Sequence, residues 1–292
     1  MKASTAGWIF AAPALTVIAV FFGVPVLAAF ALSLTDFDIY ALADLDNLRF
    51  VGVGNYVALL QNPLFWQALG NTVYFVAVGV PLSIVMSLGA ALLLHSKLGH
   101  LKPVFRTAYF APVVTTVVAV AVIWRYLFHT RYGLVNWALS GLGIDPVDWL
   151  GDPDWAMPTI ILFAVWKNFG YNMIIFLAGL QAIPEDLYEA ARIDGASRLR
   201  QLWHVTLPML GPVLLLVGIL TMAGYFQLFA EPYVMTQGGP LQSTVSVLYL
   251  MYEEGFKWWN LGNASAVAFV LFVLMASITS ALLWVARRQG AE

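Results

Sequence analysis

The chain has 292 residues, of which 61% are hydrophobic and only 10% are charged, and its formal net charge at pH 7 is −2. A soluble domain of this size could not bury so much apolar surface, so the composition predicts an integral membrane protein with a single transmembrane domain over residues 1–292. The chain contains no cysteine, which excludes disulfides, thiol catalysis and thiolate metal sites.

Six apolar segments are long enough to cross a bilayer core, which takes roughly 20 helical residues. They run approximately over residues 8–34, 69–94, 104–128, 156–180, 209–229 and 264–286. Strands of an outer-membrane barrel would be shorter and would alternate apolar with polar residues, so the segments are predicted to be helices. The first segment is too long for a signal peptide and lacks a clear cleavage site before Asp36. The sequence therefore predicts an all-α membrane protein with six transmembrane helices.

Basic residues are distributed unevenly between the two sets of loops. If the N-terminus is cytoplasmic, the inner side carries Lys2, Lys97, Lys102, Arg106, Arg192, Arg198, Arg200, Arg287 and Arg288, and the outer loops carry Arg49, Arg131 and Lys257. Cytoplasmic loops are enriched in Lys and Arg, so this bias predicts a multi-pass protein with both termini cytoplasmic. Trp149, Trp155, Trp258 and Trp259 lie near the predicted outer boundaries, as expected of residues in an interfacial belt.

A polar and charged stretch at 184–208 separates the fourth and fifth apolar segments. Pro184 suits the start of a helix, and Glu185 and Asp186 suit the positive end of the helix dipole. Gly195 permits a sharp change of direction after this short helix. The pattern predicts a helix and a turn that lie outside the bilayer.

A second helical stretch is predicted over 196–206, again outside the bilayer, and Pro208 marks the entry to the fifth apolar segment. The charge pattern leaves two interpretations open. The loop could be an amphipathic connector that rests on the lipid surface, or its first helix could dock on a soluble partner. The docking face would consist of Leu187, Ala190, Ala191 and Ile193.

The identities in this loop resemble the signature of permease subunits in binding-protein-dependent ABC importers. The resemblance is carried by three short stretches: Glu189-Ala190-Ala191, Asp194-Gly195-Ala196 and Leu207-Pro208. Further matching stretches are Trp8-Ile9-Phe10-Ala11-Ala12-Pro13-Ala14, Ser33-Leu34-Thr35, Val51-Gly52-Val53-Gly54-Asn55-Tyr56, Asn71-Thr72 and Thr236-Gln237-Gly238-Gly239-Pro240. Together they span nearly all of the chain, which resembles the maltose, lactose and glycerol-phosphate type of carbohydrate permease in its plain six-helix version.

The resemblance implies the fold of a type I ABC importer permease, with a cytoplasmic coupling helix between helices four and five. The implied ATPase-coupling residues are Leu187, Tyr188, Glu189, Ala190, Ala191, Asp194, Gly195, Ala196 and Pro208. The implied partners are a second homologous permease subunit, two ATPase subunits and an extracytoplasmic sugar-binding protein. No cofactor is expected in this chain, because ATP and Mg²⁺ would be bound by the ATPase subunits. The implied location is the cytoplasmic (inner) membrane of a bacterium or archaeon, in contact with lipid and without a nucleic-acid partner.

Catalytic and metal-binding constellations are absent from the sequence. The four histidines, His95, His100, His129 and His204, lie at segment ends or in loops, without another plausible ligand at suitable spacing. No serine-nucleophile, zinc-protease or phosphate-binding motif occurs. We therefore predict that the chain is not an enzyme and binds no metal ion.

Polar side chains inside the apolar segments are costly in lipid and must face protein or water. Lys167, Asn168 and Tyr171 share one face of segment four; in segment five, Thr221, Tyr225 and Leu228 form one face and Gly224, Gln227 and Glu231 the adjoining one. One interpretation is structural: these groups bond across helices, Lys167 pairs with Glu231, and glycines 70, 79, 89, 218 and 224 allow close approach. The other is a polyol site, which needs hydrogen-bonding groups beside aromatic rings.

The resemblance favours a sugar site, because sugar contacts in maltose-type permeases lie on the two helices that flank the signature loop. The implied substrate path is Lys167, Asn168, Tyr171, Thr221, Gly224, Tyr225 and Leu228, in which Tyr225 and Leu228 replace amides of the family. The predicted function is the permease subunit of an ATP-driven sugar importer that transmits ATPase motion through the Glu189 loop. The alternatives are an ion-coupled secondary transporter of a small polar solute, for which only Lys167 is a titratable mid-membrane residue, and an intramembrane enzyme.

Overall fold

The computed structural model describes residues 3–95 and 102–288. Lys2, Lys97 and His100, which entered the sequence-based expectations, lie outside the described residues. The chain divides into two compact units, one formed by Met1–Trp66 with Leu250–Val273 and the other by Gln67–Tyr249 with Leu274–Glu292. A single transmembrane domain over 1–292 therefore stays a prediction.

Over the described ranges the regular structure is helical, apart from an isolated bridge between Thr35 and Phe50. The helices are α1 (Ala3–Ile18), α2 (Val24–Ser33), α3 (Ile39–Ala43), α4 (Gly54–Gln61), α5 (Pro63–His95), α6 (Lys102–Val114), α7 (Val117–Leu127), α8 (Leu134–Ser140), α9 (Pro153–Gln181), α10 (Glu185–Ile193), α11 (Arg198–Gln201), α12 (Leu207–Met209), α13 (Gly211–Phe226), α14 (Ala230–Met235), α15 (Val247–Tyr252) and α16 (Leu261–Arg288). Five-residue π-helical turns occur at Ala19–Gly23, Leu202–Thr206 and Glu253–Lys257, and a 3₁₀ turn at Leu45–Asn47.

Four helical stretches are long and apolar enough to cross a membrane: Phe10–Ser33, Pro63–His95, Pro153–Gln181 and Leu261–Val285. They correspond to the first, second, fourth and sixth predicted segments. The third and fifth segments each correspond to a bent pair of helices, with an angle of 100° between α6 and α7 and of 69° between the stretch Arg198–Met209 and α13. Six spans result if each bent pair crosses once. The all-α membrane fold is confirmed, whereas the count of six stays a prediction.

The helix predicted over 104–128 is interrupted, because the chain breaks between α6 and α7. Thr116 is extended, with φ −68° and ψ 134°. The Thr115 hydroxyl donates to the Pro112 carbonyl at 2.6 Å. Threonine side chains compete for backbone groups in this way and favour helix ends. Hydropathy did not reveal the break, since the residues on both sides of it are apolar.

The bend into the fifth segment lies at Leu210, two residues after Pro208, which the sequence predicted as the entry to that segment. Residues Arg198–Met209 form one helical stretch that runs through the π-helical turn Leu202–Thr206, and the sharp bend follows at Leu210. Pro208 lies in the first turn of α12, directly after the π-helical turn Leu202–Thr206. Pro212 lies in the first turn of α13. A first-turn proline leaves no helical hydrogen bond unmade, so Pro212 suits the start of the helix after the bend.

The core of the second unit contains two clusters of buried side chains. Phe75, Trp124 and Phe163 bring together α5, α7 and α9 in the first cluster. The rings of Trp124 and Phe163 meet edge to face with centroids 5.2 Å apart. The second cluster is centred on Met173, Phe176 and Leu210. Helix α9 contributes to both clusters and is the central helix of this unit.

Two glycines that the sequence did not single out allow α9 to pack closely. A Cβ atom at Gly170 would lie 2.0 Å from the Tyr109 carbonyl oxygen on α6. A Cβ atom at Gly179 would lie 2.9 Å from Val213 Cγ2 on α13. Of the glycines predicted to allow close approach, Gly79 has such a neighbour, with 2.8 Å to Tyr225 Cε2, whereas Gly70, Gly89, Gly218 and Gly224 have none within 4 Å in the described chain.

Asn55 and Asn71, which lie in two of the stretches that resemble the carbohydrate permeases, each donate hydrogen bonds to backbone carbonyls at helix ends or in loops. In the first unit, the Asn55 amide donates to the carbonyls of Ser33 and Thr35 at 2.8 and 2.7 Å, and so satisfies the C-terminal end of α2. In the second unit, the Asn71 amide donates to the carbonyls of Gln242 and Val245, both at 2.9 Å. These contacts fix the loop after Pro240 against α5.

Candidate functional site

A cavity of about 270 Å³ lies within the second unit, between α9 and α13. Its lining consists of Phe75, Val113, Ala164, Asn168, Tyr171, Asn172, Leu220, Thr221, Gly224, Tyr225, Gln227, Leu228 and Glu231. Ligand cavities in proteins start at roughly 300 Å³, so the space fits a small solute. The mixture of amides, hydroxyls and aromatic rings is the one that a polyol requires, since its rim is polar and its ring faces are apolar.

A buried hydrogen-bonded group connects three helices at one side of the cavity. The Asn172 amide on α9 donates to Thr221 Oγ1 on α13 at 2.8 Å and to Ser83 Oγ on α5 at 3.4 Å. All three side chains are buried. Because buried polar groups are costly unless they are paired, this group fixes the relative positions of the helices that line the cavity.

Tyr225 presents a hydroxyl that the protein leaves without a hydrogen bond. The side chain is only 5% exposed, and its ring packs against Phe75 with centroids 5.0 Å apart. Ser83 and Asn168 lie close enough to interact with the hydroxyl, but neither completes a hydrogen bond of normal geometry. A buried hydroxyl without a partner costs free energy, so it is a donor available to a bound solute.

The structure brings together six of the seven predicted substrate-path residues. The cavity is lined by Asn168, Tyr171, Thr221, Gly224, Tyr225 and Leu228, among others. Lys167 is not among the lining residues: its side chain is buried, and its ammonium donates to the Val113 carbonyl at 3.2 Å. Val113 lies next to the break between α6 and α7, where helix carbonyls lack helical partners. Lys167 therefore stabilises the bent pair.

The direct Lys167–Glu231 ion pair considered from sequence is not found. In the described ranges the ion pairs within 4 Å are Arg192–Glu185, Arg192–Glu189 and Lys257–Glu253. Glu231 does line the cavity and interacts with Lys167 through space. The two side chains therefore lie farther apart than the partners of a salt bridge.

Sequence reasoning missed Phe75 and Val113 as cavity residues. They come from the second and third apolar segments, whereas the predicted path used only the fourth and fifth. Both are apolar residues in apolar surroundings, so no local signal distinguishes them from packing residues. Their role depends on which helices meet, which the sequence pattern does not specify.

The loop after α9 forms the predicted short helix, α10, and its turn has a defined hydrogen-bonding pattern. Gly195 adopts φ +73°, its N–H donates to the Arg192 carbonyl at 3.0 Å, and the Ala196 N–H donates to the Ala191 carbonyl at 2.9 Å. This pair of bonds is a Schellman motif, which requires a residue in the left-handed conformation. The predicted turn at Gly195 is confirmed, and Ser197 then caps α11 by accepting from the Arg200 N–H.

The exposed surface of α10 carries three of the nine predicted coupling residues, Leu187, Glu189 and Ala190. Leu187 is 40% exposed and Ile193 is 87% exposed, and Glu189 and Ala190 are exposed as well. Tyr188 differs from them, because its hydroxyl is 3.0 Å from Thr206 Oγ1 and its ring packs against the second core cluster. Tyr188 therefore anchors α10 to the protein, and the other face of the helix is free to contact a partner.

The remaining predicted coupling residues lie at the turn and beyond it. Asp194 caps the C-terminal end of α10, and Ala191 and Ala196 are half-buried. Pro208 is exposed in the first turn of α12. These residues shape the loop, whereas the outward face of α10 is exposed.

Comparison with known proteins agrees with this architecture. The chain is 39% identical to the lactose transport system permease protein of Rhizobium radiobacter, over 97% of this chain and 94% of the relative. It is 38% identical to the trehalose/maltose transport system permease protein of Thermococcus litoralis, over 96% and 93% of the two chains. The fold is similar to a crystal structure of a bacterial ABC transporter that imports alginate, with a TM-score of 0.83, 22% identity and coverage of 97% and 96%.

Residues 79–290 match the family described as binding-protein-dependent transport system inner membrane component. This range includes α10, its glycine turn and every residue of the cavity lining except Phe75. The match covers well over half of the chain, so the chain belongs to this family of membrane permeases.

Proposed function

We propose that this chain is the permease subunit of an ATP-driven sugar importer and that the cavity between α9 and α13 is its sugar site. The observation that carries the proposal is the buried Tyr225 hydroxyl, which lacks a hydrogen-bond partner in a cavity lined by amides and aromatic rings. Relatives named for lactose, trehalose/maltose and arabinooligosaccharide transport support a carbohydrate as the solute. The chain supplies the path for the sugar and performs no covalent chemistry.

The proposed assembly contains a second homologous permease, two ATPase subunits that bind ATP and Mg²⁺, and an extracytoplasmic sugar-binding protein. Both termini and the α10 loop face the cytoplasm in this proposal, supported by the bias in Lys and Arg. A solved alginate transporter in complex with its periplasmic protein has a similar fold, with a TM-score of 0.83 at 21% identity. That likeness supports the permease fold of this chain.

The outward face of α10 is the proposed contact with the ATPase. Leu187, Ala190 and Ile193 recur at three-residue spacing, so they lie on one face of the helix. Glu189 is also exposed, and its interaction with Arg192 at 3.7 Å is a weak surface pair that a partner could replace. Closure of the ATPase dimer would move α10, and α9 would transmit that motion to the cavity because the two helices are joined by only a short turn.

Uptake by membrane vesicles tests the proposed energy source. Vesicles that contain the complete transporter are given radiolabelled lactose, trehalose or maltose. Depletion of internal ATP should abolish uptake, whereas collapse of the proton and sodium gradients should leave it unchanged. The opposite result would identify the ion-coupled secondary transporter instead. Lys167 donates to a backbone carbonyl and does not line the cavity, which disfavours a role for it as an ion carrier.

A substitution at Ala190 tests the proposed contact without disturbing this chain. Ala190 is exposed, so Ala190→Trp should leave insertion and thermal stability unchanged. A bulky ring should prevent close approach of the ATPase, and overpacking of this kind costs about 1–3 kcal/mol, or roughly tenfold in sugar-stimulated ATP hydrolysis. The measurements are subunit stoichiometry after purification and stimulated hydrolysis, with Ala190→Ser as the matched control. Full assembly and full stimulation in Ala190→Trp would mean that α10 rests on lipid.

A further inference from the structure

We infer that the helical stretch Arg198–Met209 lies on the anionic surface of the cytoplasmic leaflet and holds α10 at the membrane, so that the two halves of this loop contact different partners. The stretch consists of α11, the π-helical turn Leu202–Thr206 and α12. The inference rests on the proposed function for the cytoplasmic location of the loop and for the contact between α10 and the ATPase. It is independent of the solute.

The direction of the stretch relative to α13 suits a helix on the membrane surface. The angle between Arg198–Met209 and α13 is 69°. With α13 directed across the bilayer, the stretch therefore runs closer to the membrane plane than to its normal. The fifth apolar segment begins near Met209, so the stretch lies at the boundary between water and hydrocarbon, where amphipathic helices bind.

Two large apolar side chains of the stretch point away from the rest of the chain. Leu199 is 65% exposed and Trp203 is 62% exposed. They are four positions apart and so lie on one face of the helix, whereas Thr206 is buried against the protein. Tryptophan is enriched at the membrane interface because its ring is apolar and its N–H is polar. The exposed face of the stretch therefore fits the headgroup region of a bilayer.

The charges of the loop separate into an acidic half and a basic half. The acidic side chains of α10 and its C-terminal cap are Glu185, Asp186, Glu189 and Asp194. They outnumber the base Arg192, which pairs with two of them. The stretch Arg198–Met209 contains Arg198 and Arg200 and no acidic residue. In the described part of the chain, neither of these two arginines forms an ion pair within 4 Å.

This separation assigns the anionic leaflet to the basic half. Arginine side chains extend their charged ends to lipid phosphates while their stems lie along apolar surface. Each arginine near an anionic leaflet strengthens association by about fivefold. The acidic α10 would be repelled by the same surface, so its exposed face is left for the ATPase.

Hydrogen bonds connect the stretch to α10. The Tyr188 hydroxyl is 3.0 Å from Thr206 Oγ1, and the Gln201 side-chain amide donates to the Ala196 carbonyl at 2.9 Å. Because of these bonds, the depth of the stretch at the bilayer surface sets the height of α10 above it. Anionic lipid should therefore favour the contact between α10 and the ATPase.

The first measurement locates the apolar face in the assembled transporter. Because the chain contains no cysteine, Leu199→Cys gives it a single site for a nitroxide label. The transporter is reconstituted in nanodiscs, and the spectrum of the parent complex is subtracted as the background of the partner subunits. The label should be accessible to oxygen, which dissolves in lipid, and protected from a water-soluble nickel chelate. A label at Ile193→Cys on α10 is the comparison and should be protected from both reagents by the ATPase.

The second measurement tests the charges. The ATPase subunits are stripped from the permease pair in nanodiscs and rebound. Their affinity should be at least about threefold higher in phosphatidylcholine with an equal part of phosphatidylglycerol than in phosphatidylcholine alone. Arg198→Gln/Arg200→Gln should lose most of this difference, whereas Arg198→Lys/Arg200→Lys should keep it. The matched control is Arg49→Gln/Arg131→Gln, which removes the same charge from the predicted outer loops and should keep the difference.

The outcomes separate this inference from the proposed function. Access of nickel to the Leu199→Cys label would place the stretch in water, and protection from both reagents would place it against the ATPase or another protein; either result would overturn the lipid contact. Equal ATPase affinity in the two lipid mixtures would overturn the role of the arginines. An equal loss in the outer-loop control would attribute the effect to net charge and overturn that role as well. A transporter with a lipid-facing Leu199 that takes up no sugar would overturn the proposed function and leave this inference standing.

Discussion

Replacement of Gly170 by valine should prevent α9 from packing against α6 and should give the largest loss of stability of any single change considered. A Cβ atom at this position would lie 2.0 Å from the Tyr109 carbonyl oxygen, 2.9 Å from its carbonyl carbon and 3.2 Å from Phe110 Cα. All three neighbours are backbone atoms, so no side-chain rotation can relieve the overlap. Overpacking costs about 3 kcal/mol where the surroundings yield, and a main-chain shift is required here.

The expected loss extends to function, because α9 and Val113 of α6 both contribute to the cavity. Gly170→Ala should already lower the midpoint of thermal unfolding in detergent, and Gly170→Val should give little monodisperse protein. Gly89→Ala is the matched control, since a Cβ atom there meets nothing within 4 Å and alanine is the better helix former. A normal thermal midpoint for Gly170→Val would show that α6 and α9 do not pack in this way in the membrane.

Replacement of Tyr225 by phenylalanine should separate the binding role of the hydroxyl from the packing role of the ring. The hydroxyl is buried without a hydrogen bond, so its removal should leave the thermal midpoint unchanged or raise it slightly. If the hydroxyl bonds to the sugar, its loss should weaken binding by about 1–1.5 kcal/mol, which is roughly tenfold. Tyr225→Ala should weaken binding further and also destabilise the protein by about 3 kcal/mol, because the contacts with Phe75 and α5 are lost.

The measurements are the thermal midpoint and sugar uptake by proteoliposomes that contain the assembled transporter. Tyr126→Phe is the control, since Tyr126 is exposed and lies outside the cavity lining. A destabilised Tyr225→Phe variant with normal uptake would mean that the hydroxyl has a structural partner. In that case the solute path would have to lie outside this cavity.

The break at Thr115 and Thr116 shows how local and distant contacts combine at the cavity. The break removes helical partners from the last carbonyls of α6, and Lys167 on α9 supplies one of the missing donors. A lysine near mid-membrane is read from sequence as a functional residue. The structure gives it a positioning role, and Glu231 is the acidic side chain in the described cavity lining.

The sequence alone predicted the features that depend on neighbouring residues, namely the turn at Gly195 and the helix faces that line the cavity. The turn at Gly195 follows from the left-handed conformation that a Schellman motif requires, and glycine adopts it without steric cost. Helical spacing and the family resemblance predicted six residues that do line one cavity: Asn168, Tyr171, Thr221, Gly224, Tyr225 and Leu228. Helical periodicity places residues on a face correctly because it depends only on positions within one helix.

The tertiary structure alone decided which faces meet and where helices bend. Phe75 and Val113 line the cavity because α5 and α6 pack on α9, and nothing in their own segments indicates it. The close approach at Gly170 depends on Tyr109, which is 61 positions away in the chain (170 − 109). Helix packing depends on complementary surfaces of distant segments, and membrane helices are so uniformly apolar that their hydropathy does not encode the choice of neighbour. The sequence thus determined the helices, the glycine turn and most of the cavity's polar groups, and the packing of α9 against α5, α6 and α13 determined the cavity itself.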